Sequence, residues 1–169
     1  TDLQTLLEHN DNENCWQFNI PSLSRVVRGG KGGEFMIAFD RPEVGKTAFY
    51  VSLVASPNGF CSQGANVHII TNEEPARRTM LRAVSSYAGV TDKQIYTNRS
   101  QVSDKFNEIA QNITMVDYVD ASIEWLNTYC EDKKPDILII DQLDKINVMG
   151  TFARTDEKLR CIYTKFREI

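Results

Sequence analysis

A three-layer α/β fold, with a mainly parallel sheet covered by helices on both faces, is what this 169-residue sequence predicts. Three observations predict it. Short apolar runs alternate with amphipathic stretches along most of the chain, the pattern of strands joined by crossover helices. One run, "EFMIAF", is followed by Gly-Lys-Thr and then by "AFYVSLVAS", the strand-loop-helix order of a phosphate cradle. Another, "DILIID", sets four consecutive large apolar residues ahead of an aspartate, as expected of a buried parallel strand with an acidic tip.

The elements follow in order. Residues 1–19 read as an arm or linker: "TDLQTLLEHN" can form a short amphipathic helix with Leu3, Leu6 and Leu7 on one side, but polar sequence follows it. The main domain is expected over 20–169. Its strand candidates are 34–39, 66–71, 113–118 and 136–141, each short, apolar and rich in branched or aromatic residues. Helical patterns fill the intervals at 45–56, 75–88, 101–112, 120–132 and 154–168, with Pro75 suited to a helix start. No internal repeat or low-complexity tract is visible.

Composition narrows the class. With 41% apolar and 25% charged residues the chain suits one soluble globular domain. No run approaches the roughly 18 apolar residues of a membrane span, and the polar start lacks a secretory design, so a cytoplasmic location is expected. Cys15, Cys61, Cys130 and Cys161 lie far apart, without the spacing of a zinc site or a disulfide framework, and read as reduced thiols. The net charge of −4 argues against a uniformly basic coat for nucleic acid. Charge is uneven, however: residues 1–14 carry Asp2, Glu8, Asp11 and Glu13 with no Lys or Arg, whereas 151–169 hold five basic and three acidic groups. Trp16, Trp125 and His68 read as packed residues.

A phosphate cradle needs backbone N–H groups at a helix N-terminus, a lysine for the outer phosphates and a hydroxyl on the magnesium side. Gly45, Lys46 and Thr47 supply these, and Asp141 at the tip of "DILIID" supplies the carboxylate for the metal shell. Hydrolysis needs a base or water-orienting carboxylate. "NVHIITNEEPARR" offers Glu73 and Glu74 at the end of a strand; alternatively, both simply favour the positive end of the next helix.

These residues resemble the DnaB-type hexameric replicative helicases, a group that includes phage primase-helicases and shares the RecA-like ATPase core. "AFDRPEVGKTAF" resembles the family's phosphate loop, with Arg41, Pro42, Gly45, Lys46 and Thr47 matching. "IPSLSRVVRGGKGGEF" resembles the lead-in segment, and "HIITNEEPARRTMLR" the strand that ends in the catalytic glutamate. "PDILIIDQLDKI" resembles the Walker B strand, and "RTDEKLRCIYTKFREI" the helix after it. The similarity covers roughly 16–169.

The resemblance implies ATP and Mg2+ at Asp40, Arg41, Pro42, Glu43, Val44, Gly45, Lys46, Thr47 and Ala48. Lys46 would act on the outer phosphates, Thr47 and Asp141 on the metal, and Glu73, with Glu74 as fallback, on the attacking water. It further implies single-stranded DNA as partner, a homo-oligomeric ring, expected to be a hexamer, and phosphate contacts from Lys145 and Arg154. Two departures stand out. Asp40 occupies the first loop position, where the family has glycine or alanine, and is expected to point away from the phosphates. The strand that should lie between the Walker A and Walker B strands would come after Ile169, so the fold is expected to be truncated before it. A nucleotide-binding or assembly module without turnover, or another RecA-type ATPase, is the alternative.

Overall fold

The computed structural model describes residues 15–27, 29–39, 41 and 43–168. Helix α1 is Pro21–Val27, with proline at its first position, where no N–H is needed. Helix α2, Lys46–Ala55, buries Val51, Leu53, Val54 and Ala55. The chain then turns back beneath α2 at Gly59, where a Cβ would lie 2.6 Å from the Val54 carbonyl oxygen; only glycine allows that approach. Strand β1 is Val67–Thr71, buried at all five positions. It leads into α3, Ala76–Ala88, which stops at Gly89 in the left-handed conformation.

Two short helices follow, α4 (Asp92–Thr97) and α5 (Arg99–Phe106). A capping box between Thr91 and Gln94 starts the first. Strand β2 is Ile113–Asp117, helix α6 is Ile123–Lys133, strand β3 is Ile137–Ile140 and helix α7 is Thr155–Phe166.

The sheet order is β2-β1-β3, parallel throughout, with Val67 opposite both Ile113 and Ile137 and Ile70 opposite both Val116 and Ile140. Strand alternation sends β1 side chains to opposite faces. Val67 and Ile69 join Val54, Ala83, Tyr87 and Ile109 in one core, beneath α2, α3 and α5. Ile70 joins Ala121, Leu126, Ile146 and Ile162 in a second, beneath α6 and α7. Ile69 and Ile70 are both fully buried, each contributing about 1.5–3 kcal/mol. The expected three layers are therefore present, with a core on each side of β1.

His68 is a core residue: its ring nitrogens lie 2.7 Å from the Tyr129 hydroxyl and 3.1 Å from Asn66 Oδ1. Burial, with help from the Lys133 charge, holds its pKa below the ordinary histidine value. Trp125 is stacked between Tyr118 and Tyr129, a packing role as expected.

Two expectations change. Residues 34–39 do not form a strand; the segment is irregular, with Met36, Ile37 and Phe39 exposed and Phe35 stacked on Phe166 of α7. A strand exists only through its neighbour's hydrogen bonds, and the resemblance puts another strand between this segment and β3. With none there among the described residues, neither 34–39 nor the outer edge of β3 has a ladder partner. The helix expected at 101–112 lies instead at Arg99–Phe106, broken from α4 at Asn98, and α1 was not anticipated.

Part of the expected arm makes contacts with later residues. Trp16 and Gly30 exchange two backbone hydrogen bonds of 2.9 Å, and Phe18 is buried edge-on against Phe60. Residues 15–19 thus pack with the domain, while 1–14, including Leu3, Leu6 and Leu7, lie outside the described residues. None of the four cysteines is joined in a disulfide, and burial pushes the Cys61 thiol up to about 12. Among the described residues no helix is long and apolar enough to cross a membrane.

Candidate functional site

The site begins where the apolar face of α2 fixes that helix against the sheet. Gly45 is its N-cap at φ 100, a left-handed conformation that side chains rarely adopt. Glu43, also left-handed at φ 62, shapes the same turn. The first helical residues are Lys46 and Thr47, both half-buried, and the aligned peptide dipoles of the helix give this end a positive character. Lys46 Nζ donates to the Arg41 carbonyl at 3.1 Å, so the ammonium lies across its own loop. Val44 and Ala48 are exposed beside it. Asp40 and Pro42 lie outside the described residues.

Opposite stand the C-terminal tips of β1 and β3. The backbone N–H of Asp141 donates to the Ile70 carbonyl at 3.1 Å, extending the β1-β3 ladder by one residue. Burial, then the charges of Glu73 and Glu74, raise the Asp141 carboxyl above its ordinary value; the Tyr50 hydroxyl and the Lys46 ammonium pull it back. The charge of Lys46 thus reaches Asp141, and the gap between the α2 N-terminus and these strand tips is the candidate crevice.

Tyr50 lies close to both Thr47 and Asp141. It lies three residues after Thr47 on α2, on the same helix face. Burial and Asp141 push its hydroxyl well above the usual phenol range, while Thr79 and Thr47 oppose that shift. The hydroxyl is close to Thr47, Thr79 and Asp141, but among the described residues it makes no well-formed hydrogen bond; nor does the fully buried Thr79 hydroxyl. These two buried hydroxyls add polar groups next to Thr47 and Asp141.

The two candidate carboxylates differ sharply. Glu74 is tied down: Arg82 grips it with contacts of 2.5 and 3.1 Å, and Arg78 approaches to 3.5 Å. Glu73 is exposed at the crevice rim and accepts a hydrogen bond from the Gln142 side-chain amide. Asp117, at the tip of β2, plays a structural part, accepting from the Ala76 N–H at the start of α3 and from the Thr71 hydroxyl.

A magnesium ion bound with a nucleotide needs few protein donors, because phosphate oxygens and waters complete its octahedron. A hydroxyl and a carboxylate on opposite walls, Thr47 and Asp141, are hard oxygen donors of the right kind. Among the described residues no group of three or more His, Cys, Asp or Glu could hold a metal unaided. Lys145 and Arg154 are exposed beyond this rim, Arg154 paired with Asp156 at 2.9 Å.

Sequence reasoning did not anticipate Tyr50, Thr79, Asn72 or Gln142. Tyr50 had a usable signal in its spacing from Thr47. The others depend on which strands are neighbours.

None of the curated proteins matches the chain in sequence. Among solved structures it is similar to that of a DnaB-like replicative helicase described together with its interactions with primase, at 18% identity and a TM-score of 0.80. It is similar also to a second solved structure, an isolated ATPase domain, at 18% identity and a TM-score of 0.81. Each comparison covers 98% of this chain, but the chain spans only 43% of the first structure and 64% of the second. These likenesses establish the RecA-like fold. The DnaB-like helicase C-terminal domain family matches residues 17–166, nearly the whole described length, and the chain belongs to that family.

Proposed function

We propose that this chain is the ATP-hydrolysing core of a replicative DNA helicase, which moves along single-stranded DNA as a homo-oligomeric ring, expected to be a hexamer, in the cytoplasm of a bacterium or phage-infected host. What supports the reading is that the α2 N-terminus, with Lys46 and Thr47, lies near enough to the β3 tip for the Lys46 charge to act on Asp141, with Glu73 acting on the same carboxyl.

The loop from Asp40 to Ala48 wraps the phosphates, with backbone N–H groups and the helix end meeting their negative oxygens. Lys46 swings from the Arg41 carbonyl to the outer phosphates, and its charge offsets that developing in phosphoryl transfer. Thr47 and Asp141 hold the magnesium shell. Bound there with the nucleotide, Mg2+ would supply charge neutralisation at the phosphate oxygens. Glu73 takes a proton from water as the water oxygen bonds to the terminal phosphorus and the bridging bond to ADP breaks. Glu74, held by Arg82, serves as a support rather than as the base.

Lys145 and Arg154 are the proposed contacts to DNA phosphates. Association with a primase, described for one structurally similar helicase, would be a property of the longer assembly. The test is ATP hydrolysis by the longest natural form of the chain, with and without single-stranded DNA. Stimulation by the strand is expected. Tight nucleotide binding with no turnover would instead favour a binding module.

A further inference from the structure

Beyond the two carboxylates, the geometry points to Gln142 as a positioning residue for Glu73, with its backbone pinned by Asn72. The β1-β3 ladder ends at Ile70 and Ile140, and Asp141 adds one more bond to Ile70. At the next position the partner is a side chain. Asn72 donates through Nδ2 to the Gln142 carbonyl at 2.7 Å and accepts through Oδ1 from the Gln142 N–H at 3.0 Å. An amide side chain carries both a donor and an acceptor, so Asn72 satisfies both backbone groups of Gln142 as a strand would. At 3% exposure it does so in a buried setting, where unpaired groups are costly.

The consequence reaches Glu73. With its backbone fixed, Gln142 directs its side-chain amide to one carboxylate oxygen of Glu73, leaving the other for the attacking water. Glu73 needs such a hold: it is exposed, it follows the end of a strand, and the neighbouring Asp141 carboxylate repels it. The first residue of this set, Asn72, is contiguous with Glu73, and Gln142 is contiguous with Asp141. One reciprocal pair of hydrogen bonds therefore sets the separation of the base and the metal-side carboxylate. A displacement of the order of 1 Å at such a position costs about 100-fold in rate.

This inference rests on the reading of Glu73 as the base, and the test separates the two. Steady-state ATP hydrolysis and binding of a fluorescent nucleotide are measured on the longest natural form with single-stranded DNA, for the parent protein, Glu73→Gln, Gln142→Leu and Asn72→Leu. Gln142→Leu keeps the backbone that Asn72 holds and removes only the amide. Its kcat is expected to fall about 10- to 100-fold, with KM, nucleotide Kd and melting temperature little changed. Asn72→Leu should lower kcat at least as far and also lower the melting temperature.

If Glu73→Gln stops turnover while Gln142→Leu keeps the parent kcat, the positioning role is overturned and the base assignment stands. A Gln142→Leu protein in which nucleotide affinity and melting temperature fall in step with kcat would reduce the residue to a structural part, which also overturns the inference. Retained turnover in Glu73→Gln would remove the base assignment, and the positioning role with it.

Discussion

The two walls of the crevice are held by different means. The acidic wall is built into the sheet: β1 is buried throughout, and the Asn72-Gln142 pair ties its tip to that of β3. The wall proposed to bind phosphates hangs from one helix. Val51, Leu53, Val54 and Ala55 anchor α2 in the core, but the segment that leads into its loop, 34–39, joins no ladder among the described residues and leaves Phe39 90% exposed. The carboxylates are thus prepositioned by backbone and side-chain hydrogen bonds. The loop depends on the seat of α2 and on the unusual backbone of Gly45.

The largest effects should come from the chemical groups on each wall. Lys46→Ala is expected to abolish nucleotide binding, read by equilibrium titration, because Lys46 is the cation that opens α2. Glu73→Gln should keep nucleotide binding and lower turnover by about 10²–10⁴-fold. The pair breaks the walls separately: the first variant loses the ligand and the second only the reaction.

Next comes the backbone of the loop. Gly45→Ala forces a Cβ into φ 100, a strain of about 1–3 kcal/mol, although nothing lies within 4 Å of the added atom. Nucleotide affinity should weaken accordingly, with little loss from crowding. An equally large loss in Gly64→Ala, at φ 94 but away from the crevice, would show that general destabilisation, and not the loop, is responsible.

A pH experiment sharpens the contrast on the acidic wall. The raised carboxyl of Asp141 means that the folded protein binds its proton more tightly than the unfolded chain does. Stability is therefore lost as pH rises from the ordinary aspartate value through the raised folded-state value, and the loss persists at neutral pH. Asp141→Asn should melt at a higher temperature than the parent at pH 7, with the gain shrinking toward pH 4, while magnesium-nucleotide binding weakens. The smallest effect is expected from Arg78→Ala. Its contact with Glu74 is long and its side chain 69% exposed, so the melting curve should register at most about 1 kcal/mol.

The same contrast accounts for what could be read from the sequence. The phosphate loop, "NVHIIT", "ITMVDY" and "DILIID" carried strong local patterns, and three of the four expected strands formed within a residue or two of the expected places. "EFMIAF" has an equally good pattern and failed, because a strand needs a partner as well as propensity. Helices α4 and α5 were misjudged for the opposite reason: "DKQIYTNRSQVSDKF" is polar enough to hide its periodicity, and the break at Asn98 has no proline or glycine to announce it. At the crevice, Lys46, Thr47, Glu73 and Asp141 belong to types and positions that chemistry demands. Asn72 and Gln142 lie 70 residues apart, and only the β1-β3 register reveals that one completes the backbone of the other.

The uncovered side of β3 has a practical consequence. Ile137–Ile140 present a row of N–H and C=O groups without partners among the described residues, next to half-buried isoleucine and leucine side chains. Such an edge is a template for foreign strands. Any preparation in which it stays bare should clump as its concentration rises, and a short peptide able to lie along "ILII" should keep it dispersed.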